Sequence, residues 1–153
     1  MNIYSIKESS LHETSGISVN IYISGCNQGN GYCSGCHSDH TWDCDAGEPL
    51  TVEDIIEKLK EIPSYKFDHI CILGGEPLDQ PVESIVELLR ALRGAFNKPL
   101  WLYTHFELEE VAQSILDELD YIKTGEFILG IEHAEEQYGV FLVGKNQVIH
   151  KLK

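Results

Sequence analysis

The chain has 153 residues, 42 % hydrophobic and 24 % charged, which suits a single domain over residues 1–153 with enough length for a real core. Its formal net charge of −14 repels phosphate backbones and argues against a nucleic-acid partner, leaving acidic faces for solubility or for docking a partner with basic patches. No apolar run approaches the ~18–20 residues of a membrane span, and the polar start MNIYSIKESSLHETSG carries no signal-peptide core, so a cytoplasmic location and no membrane partner are expected.

Residues 19–24 (VNIYIS) read as a strand, rich in β-branched and aromatic side chains. Residues 25–50 are dense in Gly, Cys, Asn, Asp and Ser and read as a long loop, which in a compact domain is usually functional. Thr51 and Asp54 form a capping-box pattern, with Asp in the usual Glu place. It opens a helix whose apolar residues Val52, Ile55, Ile56, Leu59 and Ile62 recur at helical spacing and which Pro63 ends. Residues 68–73 (DHICIL) read as a buried strand stopped by Gly74 and Gly75. Pro81 stands at the first position of a second helix with the face Val82, Ile85, Val86, Leu89 and Leu92, closed by Gly94. A third strand follows at 99–104 (PLWLYT). A third helix is marked by Leu108, Val111, Ile115 and Leu119, a strand by DYIKT at 120–124, and closing strands by YGVFLVG and QVIHKL.

Alternating strands and helices with short loops predict an α/β fold with a mostly parallel sheet and right-handed crossovers. The strands are too few for a closed eight-stranded barrel, so the expectation is an open, curved, partial (β/α) barrel. Ligands of such sheets sit at the carboxyl ends of the strands. The cysteine loop, the Gly-Gly-Glu turn and Thr104 each follow a strand, so they share one rim.

Three of the five cysteines, Cys26, Cys33 and Cys36, crowd into that loop. Structural disulfides are rare in the cytosol, so clustered cysteines read as a metal or redox site. Three thiolates on a four-iron cluster leave one iron open for a small molecule, whereas a structural zinc takes four protein ligands. Zinc with Cys44 or His40 as the fourth ligand is the alternative. Glycines 25, 29, 31 and 35 let the backbone wrap a bulky group or simply make a turn. Cys71, in the apolar run HICIL, reads as a core residue, while Cys44 is a spectator thiol, a zinc ligand or a redox contact. In Leu73-Gly74-Gly75-Glu76-Pro77 the two glycines bare the backbone to a ligand and Glu76 offers an acceptor to an ammonium group.

These residues resemble the radical S-adenosylmethionine superfamily and, within it, the activating enzymes of anaerobic (class III) ribonucleotide reductase. The resemblance spans nearly the whole chain. It rests on Val19-Asn20-Ile21, Ser24-Gly25-Cys26, Cys33-Ser34-Gly35-Cys36, Thr41-Trp42-Asp43 and Gly74-Gly75-Glu76-Pro77. It continues through Leu102-Tyr103-Thr104, Tyr121-Ile122-Lys123-Thr124-Gly125 and Asn146-Gln147. It implies that Cys26, Cys33 and Cys36 hold a [4Fe–4S] cluster, whose open iron is chelated by the amino and carboxylate groups of S-adenosylmethionine. Gly74, Gly75 and Glu76 would contact the methionine end, the backbone near Ser34 the adenine, and Thr104 the ribose region. Reductive cleavage to a 5′-deoxyadenosyl radical would then generate a glycyl radical on a partner, the large subunit of the reductase, with an electron donor such as flavodoxin or a thiol system. The superfamily pattern has three residues between the first two cysteines, whereas this chain has six, Asn27 to Tyr32. Where the family often has Thr-Gly-Tyr, the chain reads Thr104-His105-Phe106, and His105 reads as a surface or packing residue. Two rival readings are a radical enzyme acting on a small molecule, such as a 7-deazaguanine precursor, and a zinc-binding or electron-transfer module without catalysis.

Overall fold

A computed structural model describes residues 1–10, 13–27, 33–128, 135–142 and 146–153. Gly29, Gly31 and most of the Asn27–Tyr32 stretch, together with the end of YGVFLVG, therefore lie outside the described residues. In chain order the elements are β1 (Asn2–Ser9), β2 (Ser18–Ile23), β3 (Glu48–Pro49), α1 (Val52–Lys60), β4 (His69–Gly74), α2 (Val82–Ala95) and β5 (Leu100–Tyr103), then α3 (Gln113–Leu116), β6 (Tyr121–Thr124), β7 (Glu135–Gln137), β8 (Val140–Leu142) and β9 (Val148–Lys151).

The main sheet has the order β3-β1-β2-β4-β5-β6-β9. Its middle, β2-β4-β5-β6, is parallel, while β1 on β2, β3 on β1 and β9 on β6 are antiparallel. The fold is thus α/β with a mixed seven-stranded sheet, less uniformly parallel than the sequence suggests. The reason lies at the two flanks. Strand β1 falls within the stretch that reads as polar, because its register shifts between Ile3 and Ser5. A bulge there breaks the period of two by which strands are recognised.

The two faces of the sheet separate by pleat parity. Ile21, Ile23, Ile70, Ile72, Leu100, Leu102 and Ile122 point to one side, where they pack with Ile55 and Leu59 of α1, Ile85, Leu88 and Leu89 of α2, and Ile115 of α3. The alternate residues Tyr22, Cys71, Leu73 and Trp101 form a second cluster with Val140, Leu142 and Ile149. This second face is partly polar, since Asn20 Nδ2 donates to the Tyr22 hydroxyl and Trp101 Nε1 to His69 Nδ1. Cys71 is fully buried there, as the sequence predicts.

The capping box at α1 forms in both directions, with Asp54 N donating to Thr51 Oγ1 at 3.1 Å and Thr51 N to Asp54 Oδ2 at 3.0 Å. Hydrogen bonding from Thr51, its backbone N–H first and its side chain second, holds the Asp54 carboxyl below its ordinary pKa. Thr51→Ala is expected to lower stability by about 1 kcal/mol, read from a urea denaturation midpoint. Two boundaries shift by a residue. Pro81 is the N-cap of α2 rather than its first helical residue, and Gly94 lies inside the last turn before Phe96 caps it. The third helix is much shorter than the predicted pattern. Leu108–Glu110 forms a 3-10 turn, and extended backbone at Val111 and Ala112 delays α3 to Gln113–Leu116. Leu108, Val111, Ile115 and Leu119 still reach the core from these separate turns. Among the described residues, no helix is long and apolar enough to cross a membrane.

Candidate functional site

The segments that follow β2, β4 and β5 emerge side by side, because Ile23 pairs with Gly74 and Ile72 with Leu102 in parallel register. The rim convergence expected from the sequence is therefore present. Gly75 N donates to Ile23 O at 2.8 Å and Glu76 N to Gly25 O at 2.7 Å, seating the Gly-Gly-Glu turn directly on the residue before Cys26. That seating requires glycine. A Cβ on Gly75 would fall 1.9 Å from Gly25 O, and Gly74 sits at φ +123°.

The cysteine loop is fastened by the Thr41-Trp42 pair. Gly25 N donates to Thr41 O at 2.7 Å, Cys26 N to Trp42 O at 3.2 Å, and Thr41 Oγ1 to Ser38 O at 2.6 Å. Cys33–Cys36 forms a turn closed by Cys36 N donating to Cys33 O at 3.2 Å, with Gly35 in the left-handed region at φ +72°. The rings of His37 and Phe127 lie 5.1 Å apart, joining this loop to the segment after β6.

A cavity of about 460 Å³ opens on this rim. Cys26, Cys33, Cys36, Gly74, Gly75, Glu76 and Thr104 all line it. Ser34 does not, being exposed at the tip of its turn. None of the five cysteines is in a disulfide. Burial first, then the charges of Glu76 and Asp79, push the Cys26 thiol up to about 12, and burial likewise raises Cys33. Thiols placed this way ionise when a metal centre supplies positive charge.

The three thiols fit an iron–sulfur cluster better than a single ion. A zinc with Zn–S bonds of ~2.3 Å draws its sulfurs to roughly 3.8 Å from one another. Among the described residues, only Asp43, Cys44 and Asp45 bring three ligand atoms within 4.8 Å, so Cys26, Cys33 and Cys36 are splayed more widely. Of the two candidate fourth zinc ligands, His40 lines the same cavity and Cys44 does not. His40 pairs with Asp39 at 3.8 Å and meets Tyr4 edge-on, and Cys44 is exposed between its two acidic neighbours.

Glu76 is 1 % exposed, and its carboxylate is engaged on every side. Oε1 accepts from Leu78 N at 2.9 Å and from Thr104 Oγ1 at 2.7 Å. Oε2 accepts from His105 N at 2.9 Å and lies 2.5 Å from His105 Nδ1. Thr104 Oγ1 in turn accepts from Phe106 N, so this hydroxyl braces the rim. His105, read as a packing residue from the sequence, is therefore part of the site, and it stacks on Phe106 at 4.2 Å.

Lys7, Glu13, Lys123 and Gln147 also line the cavity. Lys123 and Gln147 fall within the Tyr121-Ile122-Lys123-Thr124-Gly125 and Asn146-Gln147 stretches of the resemblance, without a role read from the sequence, and Lys7 and Glu13 carry no recognisable motif. The Lys123 ammonium lies 4.5 Å from the centre of the Tyr103 ring, and burial pulls its pKa down to about 8. Its position in YIKT, two residues from Tyr121, puts it on the same face of β6 as that ring. Gln147 has a buried Oε1 without a hydrogen-bond partner, as has Ser24 Oγ beside Gly25. Of the two, Gln147 lines the cavity, where a bound molecule can meet that oxygen.

Residues 13–150 match the profile of the 4Fe–4S single cluster domain family. The chain is 28 % identical over 146 residues to the anaerobic ribonucleoside-triphosphate reductase-activating protein of Escherichia coli (strain K12), covering 90 % of each. It is 27 % identical over 154 residues to the pyruvate formate-lyase-activating enzyme of Clostridium pasteurianum, covering 95 % of this chain and 58 % of that one. A 7-carboxy-7-deazaguanine synthase of Hyperthermus butylicus is 40 % identical over 77 residues, covering 49 % of this chain and 30 % of its own.

Proposed function

The chain belongs to the 4Fe–4S single cluster domain family, and from that premise we propose that this radical S-adenosylmethionine enzyme generates a glycyl radical on an anaerobic ribonucleoside-triphosphate reductase. Its cofactors are a [4Fe–4S] cluster and S-adenosylmethionine. The observation that carries the reading is the meeting of three splayed thiols with a glycine-lined turn on one cavity rim. Similarity to activating proteins over 90 % of the chain supports the same reading.

In this reading the whole chain is one partial barrel, whose helix-free face closes around the ligands. Cys26, Cys33 and Cys36 hold the cluster, and Gly74, Gly75 and Glu76 receive the methionine end of S-adenosylmethionine. Thr104 acts through Glu76 by bracing its carboxylate, and the backbone near Ser34 approaches the adenine. Bound there, the cluster supplies the single electron for reductive cleavage of the sulfur–C5′ bond to give the 5′-deoxyadenosyl radical. The protein's own task is orientation. The bare backbone at Gly74 and Gly75 brings the ligand close, and the apolar wall limits water. The protein works in the cytoplasm, with the reductase large subunit and an electron donor such as flavodoxin or a thiol system as partners.

Anaerobic iron and sulfide quantification, with an EPR spectrum of the dithionite-reduced protein, tests the premise. About four irons per chain and a spectrum that changes with S-adenosylmethionine are expected. One zinc and no iron would refute it. Incubation with the reductase should then produce a glycyl-radical EPR signal. Turnover of a 7-deazaguanine precursor without that signal would favour the small-molecule reading, which the partial match to 7-carboxy-7-deazaguanine synthase motivates. Ser substitution at Cys26, Cys33 or Cys36 is expected to cut bound iron to about a tenth or less of the parent level, since each thiolate is one of only three protein ligands. Cys44→Ser should retain it, because that sulfur lies with Asp43 and Asp45 rather than with the three.

A further inference from the structure

The Glu76 carboxylate has a positively polarised neighbour in His105. His105 supplies two contacts to Oε2, one from its backbone N–H at 2.9 Å and one from Nδ1 at 2.5 Å. The other oxygen is filled by Leu78 N and Thr104 Oγ1. A carboxylate offers about four lone-pair positions, so none remains for a further donor. Of the four contacts, two come from backbone N–H groups fixed by the turns, and the Thr104 hydroxyl is held by Phe106 N. The imidazole is the one that leaves by a side-chain rotation. It lines the cavity, whereas its neighbour Phe106 does not.

We infer that His105 is a positioning residue that occupies the amino-group position on Glu76 until S-adenosylmethionine displaces it. The inference rests on the proposed reading of Glu76 as the acceptor for the ligand's amino group. Binding then exchanges one N–H donor for another at a single oxygen, and the imidazole swings off Oε2 along the cavity wall.

The exchange has a proton consequence. Burial by itself lowers the pKa of His105, but the hydrogen bond and charge of Glu76, with the charges of Asp79 and Glu126, outweigh it and raise the value. The charged groups facing the imidazole are therefore Glu76 and Asp79 from the segment after β4 and Glu126 from the segment after β6. Cys26, after β2, lines the same cavity. Displacement from Glu76 removes the main stabiliser of the imidazolium, so its pKa falls and a proton is released. A binding step that releases a proton is favoured as pH rises. Affinity for S-adenosylmethionine should climb with pH from the ordinary histidine value of ~6.5 up to the raised value of the free protein, and then level off.

The test uses anaerobically reconstituted protein with S-adenosylmethionine as the probe, measured by equilibrium dialysis between about pH 6 and pH 8.5. At the acid end His105→Ala is expected to bind about 3–10-fold more tightly than the parent, with the two converging at the alkaline end. The amino group of the ligand titrates in both proteins, so the difference between them isolates His105. His105→Asn keeps an N–H donor near Oε2 without titrating, and should remove the pH-dependent difference while binding less tightly than His105→Ala. Equal iron content certifies that the variants are folded and loaded. A cofactor-independent readout is the NMR titration of His105 in the cluster-free chain, which should fall above ~6.5 and drop in Glu76→Gln. Parallel pH profiles and equal affinities for parent and His105→Ala would overturn the inference. If Glu76→Gln instead bound S-adenosylmethionine as the parent does, the reading of Glu76 would fail and the inference with it. That failure is distinguishable, because the NMR titration would still report the His105–Glu76 pair.

Discussion

Gly75→Ala is expected to lower both stability and iron content more than any other single-methyl addition on the rim. The new Cβ would lie 1.9 Å from Gly25 O, 2.5 Å from Gly25 C and 3.0 Å from Gly25 N. All three are backbone atoms, so no side-chain rotation relieves the contact. Gly25 has little room to retreat. Its φ is +99°, its N–H is bonded to Thr41 O, and Cys44 Cβ lies 3.1 Å from where its own Cβ would be. Overpacking of this kind costs about 1–3 kcal/mol, and more where neither side yields. The displaced residue precedes Cys26, so the distortion passes straight into the thiol set, and bound iron should fall together with the urea midpoint. Gly94→Ala is the control. Nothing lies within 4 Å of its added Cβ, and it sits inside α2, so it should be neutral or stabilising by about 0.5–1 kcal/mol. Gly75→Ala with parental iron and midpoint would show that the turn does not seat on Gly25 in solution.

The second large effect is expected at Glu76. Glu76→Ala strands Leu78 N, the Thr104 hydroxyl and His105 N at once, and leaves His105 without its counter-charge. Each buried group left unpaired costs about 1–3 kcal/mol, but water entering from the cavity offsets part of this. A loss of roughly 2–4 kcal/mol in chemical denaturation is the expected result. That is a large share of the ~5–15 kcal/mol that holds an ordinary domain together. The His105 part has a definite pH sign. Its folded pKa is raised, so its contribution is fully present below the unfolded value of ~6.5 and is lost as pH rises through the folded value. The stability gap between the parent and His105→Ala should accordingly be wider at about pH 6 than at about pH 8.5. A gap independent of pH would mean that the imidazole is not charged against Glu76.

Much of the fold and of the candidate site was legible in the chain itself, because the signals are local. Strands β2, β4, β5 and β6 declare themselves by short β-branched or aromatic runs, and α1 by its capping box and apolar period. The three cysteines and the Gly-Gly-Glu turn are recognisable because metal ligation and bare backbone require particular residue types at particular spacings. Strand–helix alternation then brings both to the same end of the sheet, since helical crossovers make successive strands parallel and so leave their carboxyl ends together.

What only the tertiary structure decided depends on partners far apart in sequence. Strand β1 exists because β2 offers it a ladder across a bulge, and α3 shrinks because its apolar residues reach the core from separate turns. Gly75 must be glycine because of Gly25, fifty positions earlier, and not because of its own φ. His105 changes from a packing residue to an occupant of Glu76 because β4 and β5 are adjacent and parallel, which sets their ends at hydrogen-bonding distance. Lys123 and Gln147 join the cavity by the same route, through pleat parity and the antiparallel return of β9 beside β6. Short-range chemistry fixes which residues are able to act as ligands. Strand order and register fix which of them meet, because hydrogen bonds and buried charge pairs act only over a few ångströms of space, whatever the distance along the chain.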